Sequence, residues 1–205
     1  MDYVQELIAK LVKPGHVCVD VGANVGETAQ WMLDAGAESV ICVEPMPKWA
    51  EALKQRLANR PFELHQMAVA DNSPDYAGQW FAGEDASNPG NGGLVRSSEF
   101  PITLTTLDEV LKDRPVNFVK IDVEGMELYV LRGAQEVLKR DHPIVIYETR
   151  IEFEQASATP LFQPIADLLH HIGYSLYDYR DNALHLSDGL ARGWNTVALP
   201  CFQDV

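Results

Sequence analysis

The sequence predicts an α/β fold: a doubly wound, mostly parallel sheet of seven strands, with helices on both faces and an antiparallel hairpin at one edge. Short apolar runs rich in Val and Ile alternate with segments of helical periodicity, and such alternation favours a parallel sheet covered by helices. Two strand-like segments close the chain without a convincing helix between them, which favours the edge hairpin. With 205 residues, 46% of them hydrophobic, the chain is predicted to form one domain, 1–205, with a complete core.

The first half of the chain shows the alternation most clearly. Apolar residues at helical spacing begin the chain, and Pro14 with Gly15 ends this first helix. The Val-rich run "HVCVDVG" that follows is typical of a buried parallel strand. The helices and strands predicted in turn in this half cover residues 3–12, 16–22, 26–35, 39–45, 48–58 and 62–70.

The second half begins with a segment of different composition. Gly, Pro, Asn, Asp and Ser dominate residues 71–100, which predicts a loop-rich insertion with a hairpin around Gln79–Phe81. Thr106 followed by Glu109 is a capping-box pattern that opens a short helix. The remaining predictions are strands over 102–106, 116–125 with its loop, 142–149, 175–180 and 195–200, and helices over 107–113, 126–140 and 160–172.

Charge and cysteine content narrow the function classes. The formal net charge of −14 disfavours nucleic acid and anionic membranes as partners, because binding either by charge needs a basic surface. Three cysteines, none in a Cys-x-x-Cys pair, argue against a disulfide framework or a cysteine zinc site. No apolar run approaches the length of about 18 residues that a membrane-spanning helix needs. The cysteine content makes the reduced cytoplasm the expected compartment, and the N-terminus does not have the pattern of a secretion signal.

The stretch "DVGANVG", residues 20–26, separates the first strand from the next helix. A dinucleotide-binding loop needs Gly-x-Gly-x-x-Gly, in which the second glycine lets the backbone approach a pyrophosphate. Counting from Gly22, Asn24 and Glu27 occupy the second and third glycine positions, and the Gly-Lys-Ser/Thr pattern of a phosphate loop is absent. A carboxylate at this place would also repel a pyrophosphate. The loop is therefore not suited to phosphates.

An adenosine cofactor without phosphates, S-adenosylmethionine, fits the same stretch. Asp20 at the strand end could balance the ammonium group of its amino-acid end, directly or through water. Gly22 and Gly26 permit a sharp turn and a close approach of the backbone. The helix that follows, beginning with Glu27 and Thr28, would offer free backbone N–H groups to the cofactor carboxylate.

Glu44 ends the next predicted strand, where one carboxylate can accept hydrogen bonds from both hydroxyls of a ribose. Dinucleotide folds use the same contact, so Glu44 alone does not distinguish the two cofactors. An NAD-dependent oxidoreductase on a similar fold therefore stays as an alternative, although the glycine pattern argues against it. A non-catalytic protein that keeps the cofactor pocket is a further alternative.

The segment "KIDVEG", residues 120–125, carries the strongest candidates for catalysis. Asp122 and Glu124 flank one valine, so strand alternation would place them on the same side if the strand continues that far. Two nearby carboxylates can raise one pKa and provide a usable base. Together with Glu148 they could instead hold a divalent metal such as magnesium. In the simplest alternative, Asp122 only orients the cofactor and Glu124 caps the next helix.

Several segments together resemble the FkbM family of S-adenosylmethionine-dependent methyltransferases over residues 17–200: "DVGANVG", "VEPMP", "AVAD", "LDEVL", "VKIDVEGMELYVLRGA", "IVIYE" and "WNTVALP". The resemblance implies the Rossmann-like class I methyltransferase fold. It also implies methyl transfer to a hydroxyl oxygen of a sugar or other small metabolite, with S-adenosylhomocysteine as the product. The site residues that it implies are Asp20, Gly22, Asn24 and Gly26 in the cofactor loop, Glu44 at the ribose, Ala68 beside the adenine, and Asp122 and Glu124 near the reacting methyl group.

The acceptor side of the site is less defined. The insertion at 71–100, with Trp80 and Phe81, could form a wall of the acceptor site or a lid over it. A small-molecule acceptor is the expected partner, and the sequence does not indicate an oligomeric state.

Overall fold

The structure, a computed structural model, describes residues 3–72, 80–85, 88–95, 100–149, 155, 160–189 and 194–201. The helices are α1 (Tyr3–Leu11), α2 (Glu27–Asp34), α3 (Pro47–Arg56), α4 (Leu107–Leu111), α5 (Glu127–Arg132), α6 (Gln135–Asp141) and α7 (Phe162–His171). The strands are β1 (Val17–Val21), β2 (Ser39–Val43), β3 (Phe62–His65), β4 (Ala68–Val69), β5 (Trp80–Asp85), β6 (Asn88–Val95), β7 (Phe100–Ile102), β8 (Leu104–Thr105), β9 (Phe118–Ile121), β10 (Ile144–Glu148), β11 (Tyr174–Arg180), β12 (Ala183–Ser187) and β13 (Asn195–Pro200).

The main sheet has eight strands in the order β12-β11-β13-β10-β9-β1-β2-β3. The five strands from β10 to β3 run parallel, whereas β13, β11 and β12 pair antiparallel. The predicted class, a mostly parallel sheet with an antiparallel edge, is therefore confirmed. The strand order reverses between β1 and β9, because β1 continues to β2 and β3 on one side and β9 continues to β10 on the other.

Helices cover both faces of the sheet, as predicted. Val19 and Val119 belong to the apolar core shared with α4 to α7. Their neighbours Cys18 and Phe118 point to the opposite face and belong to the core shared with α1 to α3. Because strand side chains alternate between faces, continuous apolar runs such as these are what a sheet buried on both sides requires.

The antiparallel edge contains one strand more than the seven predicted. β12 pairs with β11 as an edge hairpin, while β13 lies between β11 and β10. Asp181 and Asn182, which join β11 to β12, both have positive φ angles, 52° and 60°. Two central residues with positive φ are the mark of a tight type I′ hairpin turn, which Asp and Asn tolerate. This Asp-Asn pair is the local signal that could have revealed β12.

Two other elements are divided where single ones are predicted. The strand predicted over 62–70 is split, and its second part, β4, pairs in parallel with β8 outside the main sheet. The helix predicted over 126–140 is broken between α5 and α6 at Gly133. A Cβ at Gly133 would lie 2.2 Å from the carbonyl oxygen of Ala70, so the chain after β4 passes directly against this break.

The insertion at 71–100 contains more regular structure than the predicted loops. β5 pairs with both β6 and β7 in a three-stranded antiparallel sheet of order β6-β5-β7. A hairpin is therefore present, but its first strand begins at Trp80, and Gln79 of the predicted hairpin lies outside the described residues.

Candidate functional site

A cavity of about 350 Å³ opens at the carboxyl ends of β1, β2 and β9. This is the point at which the strand order reverses, where open α/β sheets bind their ligands. Its volume lies within the usual range for small-molecule sites, about 300–1,000 Å³. Four segments of the chain line it, at residues 21–28 except Gly26, 43–49 in part, 67–69 and 122–126 except Gly125.

The loop after β1 is held against the end of β2. The backbone N–H groups of Gly22 and Ala23 donate to the carbonyl oxygen of Val43, at 2.9 and 3.1 Å. Gly22, Asn24 and Gly26 all have left-handed φ angles of 82°, 46° and 80°. Glycine adopts this conformation freely and asparagine tolerates it, so the sequence of the loop suits its path.

Glu44 joins the loops that follow β1 and β2. One carboxylate oxygen, Oε2, accepts from the backbone N–H of Asn24 and the other, Oε1, from that of Met46, both at 2.8 Å. The residue is only 5% exposed but lines the cavity. Burial raises the pKa of Glu44, and the two backbone hydrogen bonds partly oppose that rise.

Three carboxylates come together at the ends of β9 and β10. Asp122, Glu124 and Glu148 each place a carboxylate oxygen within 4.8 Å of the others. Asp122 and Glu124 line the cavity, and Glu148 is buried behind them. The pKa of Glu148 is raised to about 9, first by burial and then by the charges of Asp122 and Glu124.

A buried lysine lies beneath these carboxylates. The Nζ atom of Lys120 is 3.2 Å from Oδ2 of Asp122 and also donates to the carbonyl oxygen of Ile121 at 3.2 Å. The Lys120 side chain is only 2% exposed. Lys120 also pairs in register with Asp20 of β1 and lowers the pKa of that carboxyl. It is therefore a buried counter-ion to Asp20 on β1 and to Asp122, which directly follows β9.

Sequence reasoning missed Glu127, the first residue of α5. Its Oε1 atom accepts from the backbone N–H groups of Val123 and Gly125, at 3.1 and 3.3 Å, so it holds the loop that carries Glu124. Glu127 is 3% exposed, and burial raises its pKa to about 7. The signal in the sequence was an acid at the start of a predicted helix, two residues after Gly125.

The family of the chain follows from comparison with known proteins. The model of the methyltransferase FkbM domain matches residues 20–176, which include the end of β1, the glycine loop, Glu44 and the carboxylate cluster. The chain belongs to the FkbM methyltransferase family. None of the curated proteins compared with it gave a significant match.

Solved structures similar to this FkbM chain share its fold. A methyltransferase FkbM from Methylobacillus flagellatus has a TM-score of 0.56 at 16% identity, over 95% of this chain and 50% of that one. Aeropyrum pernix fibrillarin, solved with S-adenosylmethionine, has a TM-score of 0.53 at 16% identity, over 92% and 68%. The Bacillus subtilis tRNA methyltransferase TrmK has a TM-score of 0.54 at 12% identity, over 98% and 66%. The chain thus spans half the length of the Methylobacillus protein.

Most of the predicted site residues of this FkbM chain lie at the cavity. Those that line it are Gly22, Asn24, Glu27, Thr28, Glu44, Ala68, Asp122 and Glu124. Asp20 and Gly26 do not line it. Gly26 instead begins α2 against Leu53, to which a Cβ would come within 2.9 Å. Met46 and Trp49 also line the cavity and were not predicted.

Asp20 lies behind the glycine loop. It is 1% exposed, it accepts a hydrogen bond from the backbone N–H of Ala29 in α2, and its Oδ2 atom has no hydrogen-bond partner among the described residues. Burial raises its pKa to about 7. Any contact with a ligand in the cavity would therefore pass through water, which is one of the two routes expected from the sequence.

In the described part of the chain, no helix combines the length and the apolar character needed to cross a membrane.

Proposed function

We propose that this chain is an S-adenosylmethionine-dependent methyltransferase that methylates a hydroxyl oxygen of a sugar or other small metabolite. The observation that carries the proposal is that one cavity is lined by groups suited to the cofactor and by carboxylates suited to proton removal. Glu44 and the start of α2 lie on one side, and the carboxylates Asp122 and Glu124 lie on the other. Membership of the FkbM family supports methyl transfer as the reaction class.

The first side suits the polar groups of the cofactor. Glu44 keeps its carboxylate at the cavity although burial disfavours the charge, and each of its oxygens has a further lone pair available for a ribose hydroxyl. Glu27 and Thr28 open α2, whose free N–H groups and positive helix end suit the cofactor carboxylate. Ala68 and Val69, small and apolar, offer a wall for the adenine.

The second side suits proton removal. When bound, S-adenosylmethionine would supply an electrophilic methyl group on a sulfonium. The residues of this chain would bind and orient the acceptor hydroxyl, and most of the rate would come from that positioning. Asp122 or Glu124 would take the hydroxyl proton as the oxygen–carbon bond forms, a contribution typically worth about 10²–10⁴-fold in rate.

The described strands β5 to β7 begin in the insertion at 71–100, which precedes Asp122 and Glu124 in the chain. We assign the insertion at 71–100 to the acceptor side of the site, as a wall or a lid. The net charge of −14 favours a small acceptor over RNA. The acceptor panel should nevertheless include tRNA, because TrmK has a similar fold.

Two measurements test the proposal. Calorimetric titration should give micromolar binding of S-adenosylhomocysteine and none of NAD; the reverse result would make the chain an oxidoreductase candidate. Transfer of tritiated methyl should then be screened over hydroxylated acceptors, amines and tRNA. Tight cofactor binding without transfer to any acceptor would favour a non-catalytic role instead.

A matched pair of variants tests Glu124, one of the two candidate bases. Glu124→Gln should lower transfer by about 10²-fold or more while S-adenosylhomocysteine affinity is retained. Glu109→Gln replaces an exposed acid on α4, outside the cavity lining, and should leave both unchanged.

A further inference from the structure

We propose that Asp122, Glu124 and Glu148 form a binding site for one divalent metal ion. Their carboxylate oxygens all lie within 4.8 Å of one another at the inner wall of the cavity. Opposite oxygens of one bound ion lie about 4.2 Å apart for Mg²⁺ and about 4.8 Å apart for Ca²⁺, twice the metal–oxygen distance. The three side chains are thus nearly at coordination distance, and small rotations would bring them onto one ion.

Glu148 supplies an independent reason to expect a ligand there. Its side chain ends β10, it is 7% exposed, and its Oε2 atom has no hydrogen-bond partner in the described ranges. A buried polar atom without a partner is costly, and in native structures it usually marks an unseen water, ion or functional contact. Because Glu148 belongs to the same close group as Asp122 and Glu124, an ion bound between them could also give this oxygen a partner.

The local charges indicate a cation. Three carboxylates meet here, and the buried ammonium of Lys120 lies 3.2 Å from Asp122 Oδ2. Glu127 lies close enough to disfavour the charge on Glu148 further. When all three carboxylates are ionised, one ammonium leaves two negative charges unbalanced, and a divalent ion would neutralise them. The ion need not displace Lys120 from Asp122, because each carboxylate has two oxygens and Lys120 donates to Oδ2 of Asp122.

The donor set selects the kind of ion. Three carboxylates are hard oxygen ligands, which suit Mg²⁺, Mn²⁺ or Ca²⁺ rather than ions that prefer sulfur or imidazole. Asp122 and Glu124 line the cavity, so the remaining coordination positions would face it. If the proposed function holds, those positions would bind the acceptor oxygen and favour its deprotonation, and the proton would go to an oxygen of Asp122 or Glu124 that does not bind the ion. The acceptor class would then be molecules with two adjacent oxygens, such as vicinal diols, which can chelate the ion.

The test uses the metal alone, without cofactor or acceptor. Mn²⁺ binding to the full chain at pH 7.5 is measured by electron paramagnetic resonance and calorimetry, with Mg²⁺ and Ca²⁺ as competitors. We expect one site, displaced by Mg²⁺ or Ca²⁺. Glu148→Gln should weaken Mn²⁺ binding at least about tenfold, because even mutation of residues that hydrogen-bond to metal ligands typically costs about 10–100-fold in metal affinity. Glu109→Gln, which removes an acid from another acidic surface, should leave the affinity within about twofold of wild type.

Two outcomes overturn the inference. One is no saturable Mn²⁺ binding up to millimolar concentration, which would mean that a proton rather than a metal balances the cluster. The other is equal binding by the Glu148→Gln and wild-type chains. Thermal melts show whether each variant is folded, and Asp122→Asn replaces Glu148→Gln if the latter does not fold. S-adenosylhomocysteine binding and methyl transfer in EDTA are measured separately, so a chain that transfers methyl without binding Mn²⁺ contradicts only the metal site.

Discussion

The backbone carbonyl oxygen of Asp122 faces the α-carbon of Gly22 so closely that a Cβ at position 22 would lie 1.8 Å from it. The backbone N–H of Asp122 also donates to the carbonyl of Val21 at 2.9 Å. The ends of β1 and β9 are therefore in direct backbone contact. This contact sets the distance between the glycine loop and the carboxylates on the opposite side of the cavity.

Gly22→Ala should damage this contact. The new methyl group would force the ends of β1 and β9 apart, in addition to the strain of a left-handed alanine, which costs roughly 1–2 kcal/mol. We expect a fall in the free energy of unfolding larger than that strain alone and a loss of S-adenosylhomocysteine binding of at least about tenfold. Urea denaturation and calorimetry measure the two effects.

Gly15→Ala is the matched control for this change. Gly15 has nearly the same φ angle, 85° against 82° at Gly22, but a Cβ there would meet nothing within 4 Å. The Gly15→Ala variant should therefore lose only the stability that the conformational strain costs, and it should keep its cofactor affinity. Equal losses of stability in the two variants would show that the contact with Asp122 does not matter.

The sequence predicted the core strands well because the signals for them are local. The apolar runs around Val19 and Val119 required a sheet buried on both faces, and the polar residues that follow them had to emerge at one edge. What it could not predict depends on contacts between distant segments. The break before α6 lies at Gly133, where Ala70 passes too closely to leave room for a side chain. The depth of Lys120 likewise depends on which strands flank β9.

Glu127→Gln should act on the loop that carries Glu124. The carboxylate accepts two backbone N–H groups through one oxygen, Oε1, and a glutamine can keep this pattern only if its amide oxygen takes that place. A charged acceptor also binds more strongly than an amide. We expect kcat to fall about tenfold or more, with little change in the affinity for S-adenosylhomocysteine. The fall in kcat should be larger in Glu127→Ala than in Glu127→Gln, because alanine has no acceptor for the two N–H groups.

A purely structural role for Glu127 would give a different result. Stability would then fall in both variants in proportion to the loss of activity. Chemical denaturation alongside kcat and KM separates the two cases. A glutamine variant with wild-type kcat would contradict the positioning role.

Glu44→Gln should weaken cofactor binding through the ribose. Both carboxylate oxygens already accept backbone N–H groups, from Asn24 and Met46, and a glutamine would turn an N–H group toward one of them. We expect at least about a tenfold loss of S-adenosylhomocysteine affinity, because a buried donor would lack its acceptor. The ribose contact itself is tested with 2′-deoxy and 3′-deoxy analogues. In the wild type these should bind more weakly than the parent, and in Glu44→Gln that difference should shrink. An undiminished difference would place the ribose elsewhere.

Asp20 should make the stability of the chain depend on pH. Burial is the main cause that raises its pKa from 3.8 to about 7; the charges of Asp122 and Glu44 add to the rise, and Lys120 opposes it. The folded state therefore keeps a proton on Asp20 that the unfolded chain releases from about pH 4 upwards. The stabilisation is fully present below about pH 4 and is lost as the pH rises through about 7, a change of roughly 4 kcal/mol.

Asp20→Asn isolates this contribution from those of the other buried acids. Asparagine has nearly the same shape and cannot ionise, so the wild type should lose stability relative to the variant as the pH rises from 5 to 8. Urea denaturation at several pH values within that window measures the difference in unfolding free energy. Between pH 5 and pH 8, the unfolding free energy of the wild type, relative to that of the variant, should fall by about 2–3 kcal/mol. This is the part of the full change that lies above pH 5. A difference that stays constant with pH would mean that Asp20 has an ordinary pKa in the folded chain, with Lys120 as its effective counter-ion.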